Sequence, residues 1–306
     1  MLAIVSAVIF TIFYVFPSAD PAVLRAGRNA SPKQIEIIRH ALGLDKPVYE
    51  QYWLYMKDIV LHFDFGYSYA SNADVRTLIF DRLPATIWLV TGAAILWLCM
   101  GIPVGIISAI KRRSLLDRAT MVTSLAFISA PVFWLGLVSL YLFGQGVGQI
   151  QIFPGHGAFI TAHTIPQKAE AMILPWLVLA AASAAIYARY LRSSMIDVMA
   201  EDYVRTARAK GLPERDVIVK HEVRSAITPI VTLLGLDIGV LLAGNAILTE
   251  SVFVIPGVGR LVYTSITRSD LPVIQGVTLF GAFFIIIFNL IVDIAYAYLD
   301  PRVRYQ

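Results

Sequence analysis

Few side chains in this sequence could do chemistry, and they are scattered. Asp237 and Asp293 each fall inside a long apolar stretch, where Asn245 and Asn289 join them. A charge at mid-bilayer costs at least about 2.5–3.5 kcal/mol on insertion scales, so such residues face a cavity or a partner. Two readings are open. The four could line a cavity that engages the amino group of a passing ligand, or they could hydrogen-bond one helix to another. The two aspartates could also carry protons in a secondary transporter that needs no motor subunit. Five histidines are present, His40, His62, His156, His163 and His221, and none has the i, i+4 spacing of a helical metal pair. His156 and His163 share a loop, which is at most half a metal site. The lone Cys99 excludes a disulfide framework and a cysteine metal site. No lysine directly follows a glycine, so the phosphate loop Gly-x-x-x-x-Gly-Lys-Ser/Thr is missing. Gly144-Gln-Gly146-Val-Gly148 does not complete a dinucleotide fingerprint and reads as a turn. The expectation is a chain with no catalytic residue, no metal and no cofactor of its own.

The elements that must position these residues are membrane helices. Of 306 residues, 58% are apolar and 15% charged, with a mean hydropathy of +0.70. A soluble domain is closer to about 45–50% apolar and about 25% charged. An ordinary soluble enzyme and a disordered chain are both excluded. A span needs roughly 20 mostly apolar residues, and six segments meet or approach that: Leu2–Phe16, Pro84–Ile110, Ala119–Phe143, Ala171–Leu191, Val231–Thr249 and Val273–Leu299. The first is short and lacks a basic n-region, so it reads as a span whose start is missing rather than as a signal peptide. Gly101, Pro103, Gly105, Pro131 and Pro175 inside the spans read as packing contacts and gentle kinks, or as hinges.

Lys and Arg set the orientation. Loop 111–118 holds four bases against one acid, loop 192–230 holds seven bases, and the tail adds Arg302 and Arg304. All three lie on one side if the spans number six, which places that side and both termini in the cytoplasm. The expected division is a first helix over 1–16, an external segment over 17–83 and a five-helix core over 84–306. The external segment carries its own helix signals. Ser31-Pro32 opens one that Gly43 stops, and a second runs from Pro47 to about His62 with Tyr52, Trp53, Tyr55 and Met56 along it. They read as a small cap or as membrane-interface helices.

Loop 192–230 is the most informative stretch. Residues 195–210 suit a helix, Gly211 is a natural C-terminal stop with φ > 0, and Pro213 opens a second short helix with Glu214 and Asp216 in its first turn. A compact helical loop of this kind suits docking, whereas a mere tether would be shorter and polar. Arg205, Arg208 and Lys210 could meet acids on a partner, or they could serve topology alone. The segment Glu250–Pro272, with Pro256, Gly257 and Gly259, is either an external gate or a connecting loop.

Tyr203-Val-Arg-Thr-Ala-Arg-Ala-Lys-Gly211 resembles the so-called EAA loop of bacterial ABC importer permeases, with Arg205-Thr206-Ala207 and Gly211 at the Glu-Ala-Ala-x-x-x-Gly positions. The wording is that of the branch serving dipeptide, oligopeptide and nickel uptake. Gly43-Leu-Asp-Lys-Pro47, Asp64-Phe-Gly-Tyr-Ser68, the stretch Glu250 to Arg260 and the ending Leu299-Asp-Pro-Arg302 agree with it. The resemblance implies an all-α membrane protein of six transmembrane helices, of the type I ABC importer kind, in the bacterial inner membrane. It implies an importer half that pairs with a second homologous permease, two ABC ATPases that bind ATP and Mg, and an external substrate-binding protein, with no role for nucleic acid. Tyr203, Arg205, Thr206, Ala207, Arg208, Lys210, Gly211 and Leu212 become the ATPase-coupling residues. Asp237, Asn245, Asn289 and Asp293 become candidates for the translocation path. Glu250, Pro256, Gly257 and Gly259 become candidates for the external gate. The cargo would be a di- or oligopeptide, with nickel, glutathione and haem as alternatives.

Overall fold

The computed structural model describes residues 2–16, 20–26, 30–41, 43–68 and 70–299. Leu42 and the tail motif beyond Leu299, with Arg302 and Arg304, lie outside the described residues. The chain opens with α1 (Leu2–Phe10), which runs into a π turn over Thr11–Val15. Three outer helices follow, α2 (Pro21–Ala26), α3 (Pro32–Ala41) and α4 (Val48–His62), then a small antiparallel hairpin of β1 (Tyr67–Ser68) and β2 (Ala73–Asp74). The bundle is built from α5 (Val75–Ile110), α6 (Leu115–Ser129), α7 (Val132–Phe143), a short α8 (Ala158–Thr161) and α9 (Ile165–Met199). Next come α10 (Asp202–Ala209), α11 (Glu214–Asp216), a π segment Val217–Val223, α12 (Arg224–Ala226) and α13 (Thr228–Val240), which ends in a second π segment, Leu241–Asn245. The chain then forms α14 (Ile247–Val252), α15 (Val258–Thr267) and α16 (Leu271–Leu299).

Four helices are long and apolar enough to cross a bilayer, Val75–Ile110, Ile165–Met199, Thr228–Asn245 and Leu271–Ala295. Two of the six expected spans differ in form from the expectation, and the first is short, as its sequence indicates. The third span is not continuous, because α6 and α7 meet at 100°. Pro131 has no N–H to continue the ladder, and it drives Ala130 into extended backbone (φ −81°, ψ 125°). The gentle kink expected there is a corner. The fifth span ends at Gly244, whose φ of 101° is left-handed, so Thr249 belongs to α14 beyond the break. The first apolar helix, Leu2–Val15, is shorter than the other spans.

Loop 192–230 also departs from expectation. Residues 195–210 are not one helix: α9 continues to Met199, and Glu201 breaks to extended backbone before α10 begins. The helix opened by Pro213 is not short either. It passes Pro229 with only a single turn at Ile227 and continues into α13. The outer helices sit where the sequence puts them. Ser31 and Gln34 cap each other reciprocally, and Gly43 stops the chain at φ 65°. Phe10 and Tyr14 stack on each other and meet Tyr52 and Tyr55 of α4 edge-on or tilted, while Tyr49 and Trp53 face outward.

The core lies where α5 packs on α9, around Trp97, Leu89, Met172, Tyr187 and Leu191, all essentially without exposed surface. Gly101 and Gly105 face Ala184 and Ala188 one turn apart on each helix. A methyl group at either glycine would stand within 2.9 Å of the opposing carbonyl oxygen, so the two backbones touch. Elsewhere large apolar side chains such as Phe133, Trp134, Leu137, Phe283 and Leu290 stay exposed, as lipid-facing surface requires.

One buried ion pair ties three helices at one end. Arg192 of α9 donates from Nε and Nη2 to the two oxygens of Asp117 at 2.7 and 2.9 Å. Ser108 of α5 and the Arg113 amide donate to the same carboxylate, which is 4% exposed. Removing one member of such a pair leaves the other charge buried alone, at a cost of about 3–5 kcal/mol. Arg192→Met should therefore lower the thermal midpoint of the purified protein in detergent by several degrees. An unchanged midpoint would show that the pair carries no weight.

Candidate functional site

The two ends of the bundle carry the sequence-predicted residues in different ways. At one end, α10 turns sharply into α11. Gly211 has φ 76°, its N–H bonds to the Arg208 carbonyl at 3.0 Å, and the Leu212 N–H reaches the Ala207 carbonyl at 3.5 Å. These two bonds make a Schellman cap, which requires a left-handed residue at that position. Beneath the turn Val204, Ala207 and Val217 are buried together with Val198 beside them. Tyr203, Arg205, Thr206, Lys210, Gly211 and Leu212 all face outward, with Tyr203 44% and Leu212 41% exposed. The elbow thus has a packed inner face and an exposed outer one.

Arg208 stands apart from the other predicted coupling residues. Its guanidinium donates to Glu214 at 2.8 Å and to Glu222 at 2.7 Å, bridging α10 to both turns that follow. Glu222 has no exposed surface, and its Oε2 has no hydrogen-bond partner among the described residues. Burial pushes its carboxyl above the ordinary range, while the Arg208 guanidinium holds that of Glu214 below it. Arg208 is therefore an internal clamp. Glu222 escaped the sequence reading, although a lone acid among Val217, Ile218, Val223 and Ala226 at helical spacing is the signal of a buried partner.

At the far end, the predicted gate residues Glu250, Gly257 and Gly259 meet. Glu250 has no exposed surface. Thr86 Oγ1 donates to its Oε1 at 2.7 Å, and the Arg260 N–H donates to its Oε2 at 2.8 Å. The Val258 N–H donates to Thr86 Oγ1 at 2.8 Å and completes the chain of bonds. Gly257 lies directly on the carboxylate, where a Cβ would stand 2.1 Å from Oε1. Gly259 lies against the Gly244 carbonyl, 2.5 Å from where its Cβ would be. Pro256 lines the adjoining pocket. Thr86 was not singled out from sequence, because nothing local marks a threonine inside an apolar span.

The four intramembrane polar residues do not form one cluster. Tyr187 of α9 donates to Asp237 Oδ2 at 2.8 Å, the helix-to-helix bond that was one of the two readings. Asn245 and Asp293 are exposed, Asn289 is half-buried, and no hydrogen bond joins any two of the four among the described residues. Tyr187→Phe and Asp237→Asn should both loosen the assembly. If Asp237→Asn instead slows transport while the assembled complex keeps its thermal midpoint, the cavity reading is the correct one.

Comparison with known proteins fits this architecture. Residues 101–305 match the family described as binding-protein-dependent transport system inner membrane component, and residues 1–90 match its N-terminal counterpart. The chain is 41% identical over 305 residues to the glutathione transport system permease protein GsiC of Escherichia coli strain K12, and equally so to that of Shigella dysenteriae serotype 1. It is 40% identical to that of Shigella boydii serotype 4. Each alignment covers 100% of this chain and 95% of the relative. The chain belongs to the binding-protein-dependent inner-membrane permeases, all-α membrane bundles of the type I ABC importer kind. Within them it falls in the dipeptide, oligopeptide and nickel branch.

Proposed function

We propose that this chain is one permease half of an ATP-driven importer for short peptides, with glutathione the leading specific cargo. A second homologous permease completes the pore, and two ABC ATPases that bind ATP and Mg power it. The elbow end and both termini face the cytoplasm, and the Glu250 end faces the external binding protein. ATP closes the ATPase dimer, the elbows are drawn together, and the bundles pivot between inward and outward access.

The observation that carries this reading is the elbow, a Schellman-capped turn with Tyr203, Arg205, Lys210 and Leu212 presented outward from a packed base. Rim charge pairs are worth only about 0–1 kcal/mol each, so Tyr203 and Leu212 supply the main contact area and the bases its orientation. The name of the relatives supports glutathione over nickel or haem. The test is reconstitution of the permease pair with its ATPases and binding protein in liposomes. ATP-dependent, vanadate-sensitive accumulation of labelled glutathione or alanyl-alanine is expected. Accumulation that collapses with a proton uncoupler and ignores vanadate would overturn the proposal.

A further inference from the structure

A polar pocket of about 220 Å³ lies beside the Glu250 cluster, between α15, the first turns of α5 and the start of α16. Arg82, Arg260 and Arg268 line it together with Ser71, Thr264 and Asp270. None of the three guanidiniums has an acidic partner within 4.0 Å among the described residues. Arg82 donates to the Leu78 carbonyl of its own helix at 3.1 Å. Asp270 is 3% exposed. Its Oδ2 accepts from Ser68 Oγ at 2.5 Å, and its Oδ1 has no partner.

Three cations and one anion line a partly enclosed pocket, while Asp81 and Glu250, outside the lining, act electrostatically on Arg82 and Arg260 and leave Arg268 as its uncompensated charge. Arg82 and Arg260 are half-buried and Arg268 is exposed at the pocket mouth, and a guanidinium fork matches a carboxylate in geometry and charge. The unpartnered oxygen of Asp270 supplies the opposite pole. The volume suits one amino-acid-sized group rather than a folded partner. From this we infer that the pocket binds the carboxylate-bearing, amino-acid-like end of a small imported ligand, with the arginines holding the carboxylate and Asp270 marking the ammonium side. The site belongs to the permease itself and is separate from any site on the binding protein. This inference rests on the importer reading above.

The test uses the assembled permease–ATPase complex in lipid nanodiscs without binding protein, with labelled glutathione and its dimethyl ester as probes. The wild-type complex should bind the free acid saturably and the ester at least tenfold more weakly. Arg268→Gln changes an exposed side chain and leaves packing intact. It should lose tenfold or more for the acid and nothing for the ester, and Arg260→Gln should do the same. Three results would overturn the inference: no saturable binding by the wild type, free-acid binding indifferent to Arg268→Gln, or, when the binding protein is added in a second measurement, a loss confined to affinity for it. The last would mean that an acidic side chain of that protein fills the pocket. In the liposome reconstitution described above, wild-type uptake that proceeds normally while Arg268→Gln has no effect sinks the pocket alone, whereas absence of wild-type uptake sinks the importer reading.

Discussion

Gly211→Pro is expected to reduce ATP-driven uptake at least tenfold while the complex still hydrolyses ATP. Proline locks φ near −65°, yet Gly211 sits at 76° and its N–H bonds to the Arg208 carbonyl. The substitution removes the bond and forbids the turn, so α11 leaves α10 in another direction. The inner cluster joins Val204 and Ala207 of α10 to Val217 beyond the turn, so it is disrupted together with the elbow. Gly211→Ala is the graded version. Its Cβ meets nothing within 4 Å, so the penalty is that of the left-handed backbone alone, about 1 kcal/mol. A partial loss of coupling, measured as molecules imported per ATP hydrolysed in proteoliposomes, is expected. Full coupling in Gly211→Pro at normal expression would remove the elbow from the mechanism.

The second large effect concerns acidity at the opposite end. Burial pushes the Glu250 carboxyl up to about 7, against the Thr86 hydroxyl and the Arg260 and Gly259 amides that pull it down. A carboxyl raised in the folded state binds its proton more tightly there than in the unfolded chain. Its stabilising contribution is therefore complete below pH 4.5 and is lost as pH rises through about 7. The difference amounts to ~3 kcal/mol above that range. The thermal midpoint of the wild-type protein should fall by roughly 6–12 °C between pH 5 and pH 8.5. Glu250→Gln cannot titrate. It is expected to be less stable at pH 5, since one amide hydrogen now faces the Arg260 N–H, and to show a flatter profile. Parallel slopes for the two proteins would show that Glu250 does not set the pH response.

The sequence made these two ends legible to different depths. At the elbow the decisive signals are local: Gly211 as a stop, Pro213 as a start and acids in the first turn are read within a few residues of each other. The far end was legible only as a list. Glu250, Gly257 and Gly259 could be picked out, but their meeting depends on Thr86, more than 160 residues away, and on a helical break at Gly244 that no local residue demands. The six apolar runs fall on helices, yet apolarity does not tell a straight span from a cornered one, nor where the fifth ends. The difference at Ala130-Pro131 lies in how the backbone resolves the missing donor. Arg208 illustrates the same limit. Its charge was visible, but its engagement by Glu222 depends on how the Gly211 turn lays the two helices against each other, which no local signal specifies.

The helical run from Glu214 to Asn245, interrupted only by the single turn at Ile227, has a mechanical corollary. At about 1.5 Å per residue it would extend nearly 50 Å, with the exposed elbow at one tip and the left-handed Gly244 at the other. Under the proposed coupling, a displacement at the first tip would reach the second along the helix itself. Softening the middle of this shaft, for instance with paired glycines on its lipid side, would then blunt the stroke although neither tip had been touched.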